Sequence, residues 1–430
     1  MAEGSQTRFP VLPFRRKVIM KYAWLIILGS LLFSSCYKEV TVAEPEVDRF
    51  DLTVSPETQL FIYNSRDTGY SVEDAALRLN FNDQELDLKE IRVRGKSALD
   101  YRRKSYAVFL DESIPVPDRY QASVKYLKRF KLLALAMDYT YIENRVAFGL
   151  LQEAGIMPLF FKFVELRMNG ETQGVYLLIE DPEQYYKENN SEFILRRGYN
   201  HHIDDLDYHP SAHFIPEETY VEEFHAIYSL LPRVQGEALI EELGAKLDLT
   251  AYFRKIGIDY LLQNGDYTDE LYLYAVIDGG RSTFRPIPWD YDDIFASQPH
   301  EIGRAWGMGT IFGSRYYATM EDVFDDIGHK MIYSIEDDLD YTIARDPVLY
   351  DAYTRVLNTL MEEVTPGIIE QVFRETEEEL HPFYQSVSII EQSEYDRHAT
   401  TLKLWKENLK EKKEWLIKRH AEIQEMLQGG

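Results

Sequence analysis

Cysteine is almost absent from this sequence. Cys36 is the only cysteine among 430 residues, so no disulfide can form within the chain. A fold without disulfides must be stabilised by its hydrophobic core. Apolar residues make up 45% of the chain and aromatic residues 13%, which is too rich in core-forming side chains for a disordered protein. We therefore expect a globular protein with a large core.

Positive charge is also scarce. Lysine and arginine total 47 against 73 aspartates and glutamates, which gives a net charge of −26. Residues 1–35 carry five basic side chains and one acidic one, a net of +4, so the rest of the chain carries about −30. Such a surface repels nucleic-acid phosphates and anionic lipid headgroups. We therefore expect no nucleic-acid partner.

A run of apolar residues long enough to span a bilayer is missing as well. After Cys36 no stretch approaches the roughly 18 residues that a spanning helix needs. The segment Tyr22–Phe33 is apolar, but its length of roughly a dozen residues is typical of a signal-peptide core. Basic residues precede it, as such a core requires, and they are Arg15, Arg16, Lys17 and Lys21.

Small residues connect this apolar segment to the cysteine. The order Ser34-Ser35-Cys36 resembles a lipobox, the motif at which bacterial lipoproteins are cleaved and receive a diacylglyceryl group. The pattern predicts a lipoprotein signal peptide over residues 1–35, with Met20 as an alternative start, and a lipid on Cys36. Residues 36–48 are then a polar linker. The protein is expected on the membrane of a bacterial cell envelope, periplasmic or surface-exposed; the alternative is a buried N-terminal helix with a free thiol.

Alternating apolar and polar residues are frequent in the first half of the remaining chain. This period-two pattern predicts strands, which lie at 49–54, 58–64, 75–81, 89–95 and 104–110. Asn169-Gly170 between two apolar runs predicts a hairpin turn. From about Pro182 helical periodicity takes over, and a helix containing Trp405 ends the chain. The sequence thus predicts an α+β fold with a sheet-rich and a helix-rich part and a cleft between them.

Two acidic segments are the strongest candidates for chemistry. The sequence has no Walker-type phosphate loop and no Ser-His-Asp or Cys-His arrangement that can be argued. Asp266 follows a predicted helix, whereas Asp290, Asp292 and Asp293 follow a predicted strand. A hairpin joins the two segments, so these carboxylates can meet at one end of it and bind a hard divalent cation. The alternative is that Asp266 is an ordinary turn residue and Asp290 a solvated strand end.

An ordered set of motifs runs through most of the chain. The motifs are Arg94-Gly-Lys-Ser97, Arg103-Lys-Ser-Tyr106, Phe130-Lys-Leu-Leu133, Glu143-Asn-Arg-Val-Ala147, Val164–Glu180, Asp266 with Ile287-Pro-Trp-Asp290, and Trp405–Arg419. Together they resemble the kinase-like spore coat protein H (CotH) family, whose members are distant relatives of protein kinases. The resemblance implies a two-lobed, protein-kinase-like α+β fold. We expect an N-lobe over 49–181 and a C-lobe over 182–430.

The resemblance also implies site residues. Asp266 would lie near the acceptor hydroxyl as orienter or weak base, and Asp290 would hold a metal ion at the nucleotide phosphates. Arg94 and Ser97 would lie on a loop over the phosphates, Lys104 would neutralise phosphate charge, and Glu180 would stand where the lobes join. The alternatives are that Lys104 is a plain surface residue, with Arg102 and Arg103 as its rivals, and that Glu180 supports a helix start.

One position departs from the family pattern. Four residues after its catalytic-loop aspartate the family usually has asparagine, whereas this chain has Glu270. A carboxylate there can bind the metal together with Asp290 and Asp292, but it adds negative charge beside Asp266. That charge could shift metal preference from Mg²⁺ towards Mn²⁺ or Ca²⁺, or it could mark a degenerate site.

Two functions follow from the resemblance. The first is a lipid-anchored, extracytoplasmic atypical kinase that uses ATP and Mg²⁺ or Mn²⁺ to phosphorylate a protein or another hydroxyl acceptor. The alternative is a non-catalytic, kinase-like binding or adhesion lipoprotein. Glu270 and the export signal favour the alternative, whereas the ordered set of Lys104, Asp266 and Asp290 favours the enzyme. A fold alone does not decide between them.

Overall fold

The structure is a computed structural model that describes residues 47–118, 123–138, 140–210, 215–266, 268–278, 281–303, 315–386, 388–390 and 401–429. The expected signal peptide, the lipidation site at Cys36 and nearly all of the linker lie outside these ranges. The described residues all belong to one compact unit. No helix among them is long and apolar enough to cross a membrane.

An eight-stranded sheet forms the first part of the fold. Its spatial order is β3-β2-β1-β7-β8-β6-β5-β4; β1 and β7 pair in parallel, and the other neighbours pair antiparallel. The strands are β1 (Arg49–Thr53), β2 (Arg78–Phe81), β3 (Gln84–Glu85), β4 (Leu88–Arg94), β5 (Ser105–Asp118), β6 (Ser123–Leu133), β7 (Phe161–Met168) and β8 (Glu171–Glu180).

The β7–β8 hairpin follows directly from its sequence. Asn169 and Gly170 have φ angles of 53° and 83°, the left-handed conformations that a tight hairpin turn requires. The predicted hairpin is confirmed.

A smaller four-stranded antiparallel sheet lies in the second part, in the order β10-β9-β11-β12. Its strands are β9 (Phe193–Arg197), β10 (Ile203–Tyr208), β11 (Leu271–Asp278) and β12 (Arg281–Pro288). The second part is therefore not purely helical, because strands β9 and β10 follow Pro182 where helices were expected.

Helices make up most of the second part. The described helices are α1 (Pro56–Asn64), α2 (Glu143–Glu153), α3 (Pro182–Glu188), α4 (Glu217–Leu230), α5 (Gly236–Gly244), α6 (Leu249–Leu262), α7 (Met320–Ile327), α8 (Asp338–Arg345), α9 (Pro347–Glu363), α10 (Pro366–Gln385) and α11 (Leu402–Gly429). The predicted C-terminal helix is confirmed, and Trp405 and Leu416 are fully buried in it.

Helix α1 replaces one predicted strand. Residues 58–64 were expected to be extended, and that prediction is wrong. Ser55 caps the helix, its side chain accepting a hydrogen bond from the Thr58 backbone N–H, and Pro56 occupies the first turn. Both features favour a helix start, and they outweigh the alternation of the following residues.

The buried apolar side chains form two clusters. One lies on one face of the eight-stranded sheet and includes Phe50, Phe130 and Leu132. The other extends from the opposite face of that sheet into the helices and includes Phe163, Leu177 and Trp405. The α+β fold, sheet-rich first and helix-rich second, is confirmed, whereas the boundary between 49–181 and 182–430 stays a prediction.

Candidate functional site

A cavity of about 530 Å³ lies between strands β4–β6 and the loops at the end of the smaller sheet. Its volume is in the range of about 300–1,000 Å³ that small-molecule sites usually have. Nine of the charged residues that line it form two groups, and Asp181, Glu183, Arg196 and Asp205 line it as well. The basic wall consists of Arg92, Arg94, Lys96 and Lys131, and the acidic wall consists of Asp266, Asp269, Glu270, Asp290 and Asp292.

The loop that carries Asp266 is held close to the loop that carries Asp290. Helix α6 ends at Leu262, and the Gly265 backbone N–H donates to the Asp293 carbonyl oxygen over 2.8 Å. A Cβ atom on Gly265 would lie 2.1 Å from Oδ2 of Asp293. Only glycine permits this approach. The predicted proximity of the two acidic segments is therefore present in the fold.

Asp290 has an unusual backbone conformation. Its φ angle is 47°, in the left-handed region that aspartate adopts more readily than most residues. Its neighbours Trp289 and Tyr291 are buried. The Tyr291 backbone N–H donates to Oδ1 of Asn144 over 2.9 Å, and its hydroxyl donates to Asp259 over 2.9 Å. These contacts fix a strained residue at the cavity, as is common at functional sites.

Four of the predicted acidic residues reach the cavity, whereas Asp293 is not among its lining residues and pairs with His300. Asp266, Glu270, Asp290 and Asp292 line it together. Burial raises the pKa of Asp290; the charges of Arg94 and Arg196 oppose this rise, and the charge of Asp266 adds to it. Burial and the charge of Asp290 raise the pKa of Asp292. These two carboxyl groups are thus costly to ionise without a nearby positive charge.

A complete metal cage is not formed by protein atoms alone. Within the described ranges, no three His, Cys, Asp or Glu side chains form a group that could hold a metal ion. A magnesium ion in a nucleotide site usually takes only one or two carboxylates, with waters and phosphates completing its shell. Asp290 and Asp292 fit that requirement.

The predicted nucleotide-binding residues differ in whether they line the cavity. Arg94 ends β4, lines the cavity, and its guanidinium carbon lies 5.6 Å from the centroid of the Trp289 ring. The backbone of Ser97 begins a short 3₁₀ helix, Ser97–Asp100. Lys104 and Glu180 are not among the described residues that line the cavity.

Lys104 and Glu180 have partners inside the protein. Lys104 is 1% exposed, and its Nζ donates to the Leu99 carbonyl oxygen over 2.6 Å. Burial lowers the pKa of Lys104 to about 8. Glu180 accepts from the Phe160 backbone N–H over 3.1 Å and lies 2.6 Å from Nζ of Lys125. Both side chains therefore contribute to packing away from the cavity.

Lys131 is the strand lysine that lines the cavity. Its Nζ lies 4.6 Å from the centroid of the Trp289 ring and 3.8 Å from Oδ1 of Asp181. The flanking residues Phe130 and Leu132 point into the sheet core, so Lys131 lies on the opposite face. The alternation within Phe130-Lys-Leu-Leu133 is the sequence signal that identifies it.

His300 is a second residue that the sequence did not indicate. Its Nε2 lies 2.7 Å from Oδ2 of Asp293, and its Nδ1 lies 3.4 Å from Oδ2 of Asp266. Hydrogen bonds to Asp266 and Asp293 raise the pKa of His300 to about 10. The imidazole is therefore positively charged at neutral pH. No local motif marks this position, since the contact joins two loops that are distant in sequence.

Two further cations pair with the acidic wall. Arg196 Nη2 lies 2.7 Å from Oε2 of Glu270. Lys96 Nζ lies 3.0 Å from Oδ2 of Asp269 and 3.0 Å from Oδ2 of Asp204. Lys96 thereby connects the loop after β4 to the smaller sheet across the cavity.

Comparisons with known proteins agree with the motifs. A family model described as CotH kinase protein matches residues 91–423. Inner spore coat protein H of Bacillus subtilis (strain 168) is 22% identical over 241 residues, which are 52% of this chain and 62% of that protein. The chain thus spans less than two thirds of this relative.

A solved structure shows a distant likeness. The complex of HipA, HipB and operator DNA from Shewanella oneidensis MR-1 aligns with a TM-score of 0.30 and 11% identity, covering 87% of this chain and 74% of the other. The family match is the stronger finding, because it covers more than half of the chain and includes both walls of the cavity. This protein belongs to the CotH kinase protein family.

Proposed function

We propose that this kinase-like protein is an atypical kinase that transfers phosphate from ATP to a hydroxyl group with the help of Mg²⁺ or Mn²⁺. The observation that carries the proposal is the pairing of a basic and an acidic wall across one cavity. Phosphoryl transfer depends mainly on positioning and charge stabilisation, and two opposed walls of unlike charge supply both.

Asp290 and Asp292 are the residues that would hold the cation. Neither forms an ion pair with another residue in the described part of the chain. Both are carboxylates, the ligands that hard divalent cations prefer. A bound cation would offset the burial that raises the pKa of each group, and it would neutralise charge on the phosphates. The donor set therefore fits the ion.

The basic wall would bind the phosphates. Arg94 and Lys131 extend from β4 and β6, which both pair with β5, so their positions are fixed by the sheet register. Both also lie over the Trp289 ring, which restricts their rotation. A guanidinium and an ammonium group held in this way can neutralise phosphate charge without reorganising.

Asp266 would orient the acceptor hydroxyl. Nδ1 of His300 lies 3.4 Å from Oδ2 of its carboxylate and helps to fix its position. A positioned carboxylate can accept a hydrogen bond from a hydroxyl and hold it for attack. Asp266 would therefore act by orientation more than by removing a proton early.

The location is also part of the proposal. The basic residues, apolar segment and Ser34-Ser35-Cys36 of the N-terminus support export and a lipid anchor on Cys36. The protein would then act on the outside of a bacterial membrane, on a protein or another hydroxyl-bearing acceptor.

A non-catalytic binding protein is the second candidate. The ion pair between Arg196 and Glu270 favours it, because it places a compensated pair in the cavity where an active kinase could use a metal ligand. The same experiment distinguishes the two candidates.

The test uses the purified full chain with γ-labelled ATP and Mg²⁺ or Mn²⁺. We expect label transfer, either to the chain or to an added hydroxyl acceptor. Asp290→Asn should reduce it by about 100-fold or more, as expected for the loss of one electrostatic stabiliser. Asp351→Asn is the matched control, since Asp351 is an exposed helix residue in α9 paired with Arg355. Absence of both transfer and nucleotide binding would exclude the enzyme, and binding without transfer would favour the second candidate.

A further inference from the structure

Arg196 and Glu270 form a fixed ion pair in the cavity. Arg196 Nη2 lies 2.7 Å from Oε2 of Glu270, and its Nε donates to the Asp269 carbonyl oxygen over 2.8 Å. The two side chains are only 14% and 15% exposed. The pairing of β9 with β11 places Arg196 opposite Tyr272, directly beside this loop. The guanidinium is thus held by two contacts, which leaves it little freedom to turn away.

This contact limits what Glu270 can do. A carboxylate oxygen that already accepts from a guanidinium is compensated in charge. To coordinate a metal ion, Glu270 would have to release Arg196 or bring a dication next to a guanidinium. Either arrangement is unfavourable for two side chains that are largely shielded from water.

The other acidic residues of the cavity are of two kinds, those with an ion-pair partner and those without one. Asp266 has His300 as its partner at 3.4 Å, and Asp269 has Lys96 at 3.0 Å. Asp290 and Asp292 have no ion-pair partner in the described part of the chain. No group of three or more metal-binding side chains exists among the described residues. The charges of Arg94 and Arg196 act on Asp290 without forming an ion pair with it. Two carboxylates without an ion pair match the protein's share of one Mg²⁺ shell in a nucleotide site.

We infer that the cavity binds a single divalent cation at Asp290 and Asp292, and that Glu270 is the counter-ion of Arg196 and not a metal ligand. Glu270 then fixes Arg196 in the lining of the cavity, where its positive charge would act on the phosphates. Many kinase-like sites hold two Mg²⁺ ions, so the inference sets this chain apart. It rests on the proposed function, because it takes the cation and the nucleotide to bind in this cavity.

The test counts bound metal and does not require turnover. The full chain is saturated with a non-hydrolysable ATP analogue and titrated with Mn²⁺, and free Mn²⁺ is measured by electron paramagnetic resonance. We expect one Mn²⁺ per chain in the wild type and in Glu270→Gln, and none in Asp290→Asn. Glu242→Gln is the matched control, since Glu242 is exposed on α5.

A second readout tests the counter-ion role. Arg196→Met and Glu270→Gln should each weaken binding of the analogue, and the double variant should be no weaker than Arg196→Met alone, because both changes break one contact. Strictly additive effects would contradict the assigned pair.

The outcomes separate the inference from the proposed function. Two Mn²⁺ ions per wild-type chain, or loss of metal in Glu270→Gln with folding retained, would overturn the inference and leave the kinase proposal in place. The wild-type count decides even if Glu270→Gln fails to fold. A folded wild type that binds neither Mn²⁺ nor the analogue would overturn the proposed function and the inference together.

Discussion

The two walls of the cavity are built in different ways. Arg94 and Lys131 of the basic wall lie on strands whose neighbours are set by sheet register. The acidic wall lies on loops, and Asp290 adopts a left-handed conformation there. A side chain on a strand is positioned as soon as the strands pair in the right register. A side chain on a loop is positioned only by specific contacts, such as that between Gly265 and Asp293.

The walls also differ in how their charges are balanced. On the basic wall, Arg94 and Lys131 lie over an aromatic ring; Arg94 forms no ion pair in the described part of the chain, whereas Nζ of Lys131 lies 3.8 Å from Oδ1 of Asp181. On the acidic wall, His300, Lys96 and Arg196 compensate three of the carboxylates. The remaining two define where a cation belongs. The comparison teaches that lining the cavity is not enough to make a carboxylate a candidate metal ligand. The carboxylate must also lack an ion-pair partner.

On the basic wall, an effect similar in size to that of Asp290→Asn is expected. Lys131→Met should reduce phosphate transfer by about 100-fold, because it removes a fixed positive charge from the phosphate site. Lys104→Met is the informative counterpart, since Lys104 is buried and bonded to the Leu99 carbonyl. That variant should lower the melting temperature but retain nucleotide affinity. Radiolabel transfer and calorimetric binding measure the two effects; a larger loss of affinity in Lys104→Met than in Lys131→Met would contradict the assignment.

On the acidic wall, His300→Gln should lower turnover by about 10- to 100-fold, because Asp266 loses the contact that positions it. The KM for ATP should stay close to that of the wild type, since His300 contacts Asp266 and Asp293 and not the basic wall. Steady-state kinetics separate the two constants. A rise in KM with unchanged turnover would assign His300 to nucleotide binding instead.

The same histidine predicts a pH dependence of stability. Asp266 and Asp293 raise the pKa of His300 to about 10, above its ordinary value of about 6.5. A raised pKa means that the protonated histidine stabilises the folded state. This contribution is fully present at pH values below the ordinary pKa, and it is lost as pH rises through about 10. The difference in melting temperature between the wild type and His300→Gln should therefore shrink from mildly acidic to strongly alkaline pH. A difference that grows with pH would contradict this sign.

A smaller effect is expected where the two acidic loops meet. Gly265→Ala should reduce the free energy of unfolding by about 1–3 kcal/mol, because its Cβ would collide with Asp293. Gly244→Ala is the control, since a Cβ there meets Leu249 only at 3.8 Å. Chemical denaturation measures both. Equal stabilities for the two variants would show that the close approach of the loops is not required.

Sequence reasoning located the acidic wall better than the basic one. Asp266 and Asp290 are tied to a hairpin whose ends must meet, so their shared cavity follows from local patterns. Lys104 directly precedes β5 and Lys131 lies within β6, and choosing between them requires knowing which face of the sheet is covered. His300 and Arg196 act through contacts between segments distant in sequence, and no local pattern carries that information. The family resemblance is confirmed, but it does not by itself identify these partners.

In the fold, too, some elements follow from local sequence patterns and others do not. The β7–β8 hairpin and helix α11 follow from Asn169-Gly170 and from a long apolar stripe. Helix α1 was missed because the capping residues Ser55 and Pro56 decide against the alternation that follows them. The alternation there favours a strand and the capping residues favour a helix. The Ser55 side chain finds its hydrogen-bond partner only when the helix forms.

The most direct measurement is calorimetric titration of the full chain with a non-hydrolysable ATP analogue, with and without Mg²⁺. The account predicts that binding depends on Mg²⁺, that Asp290→Asn removes this dependence, and that Lys131→Met weakens binding with or without the ion. Binding that is indifferent to Mg²⁺ and to both substitutions, or no binding by a folded chain, would contradict the claim that the two walls close on one nucleotide and its cation.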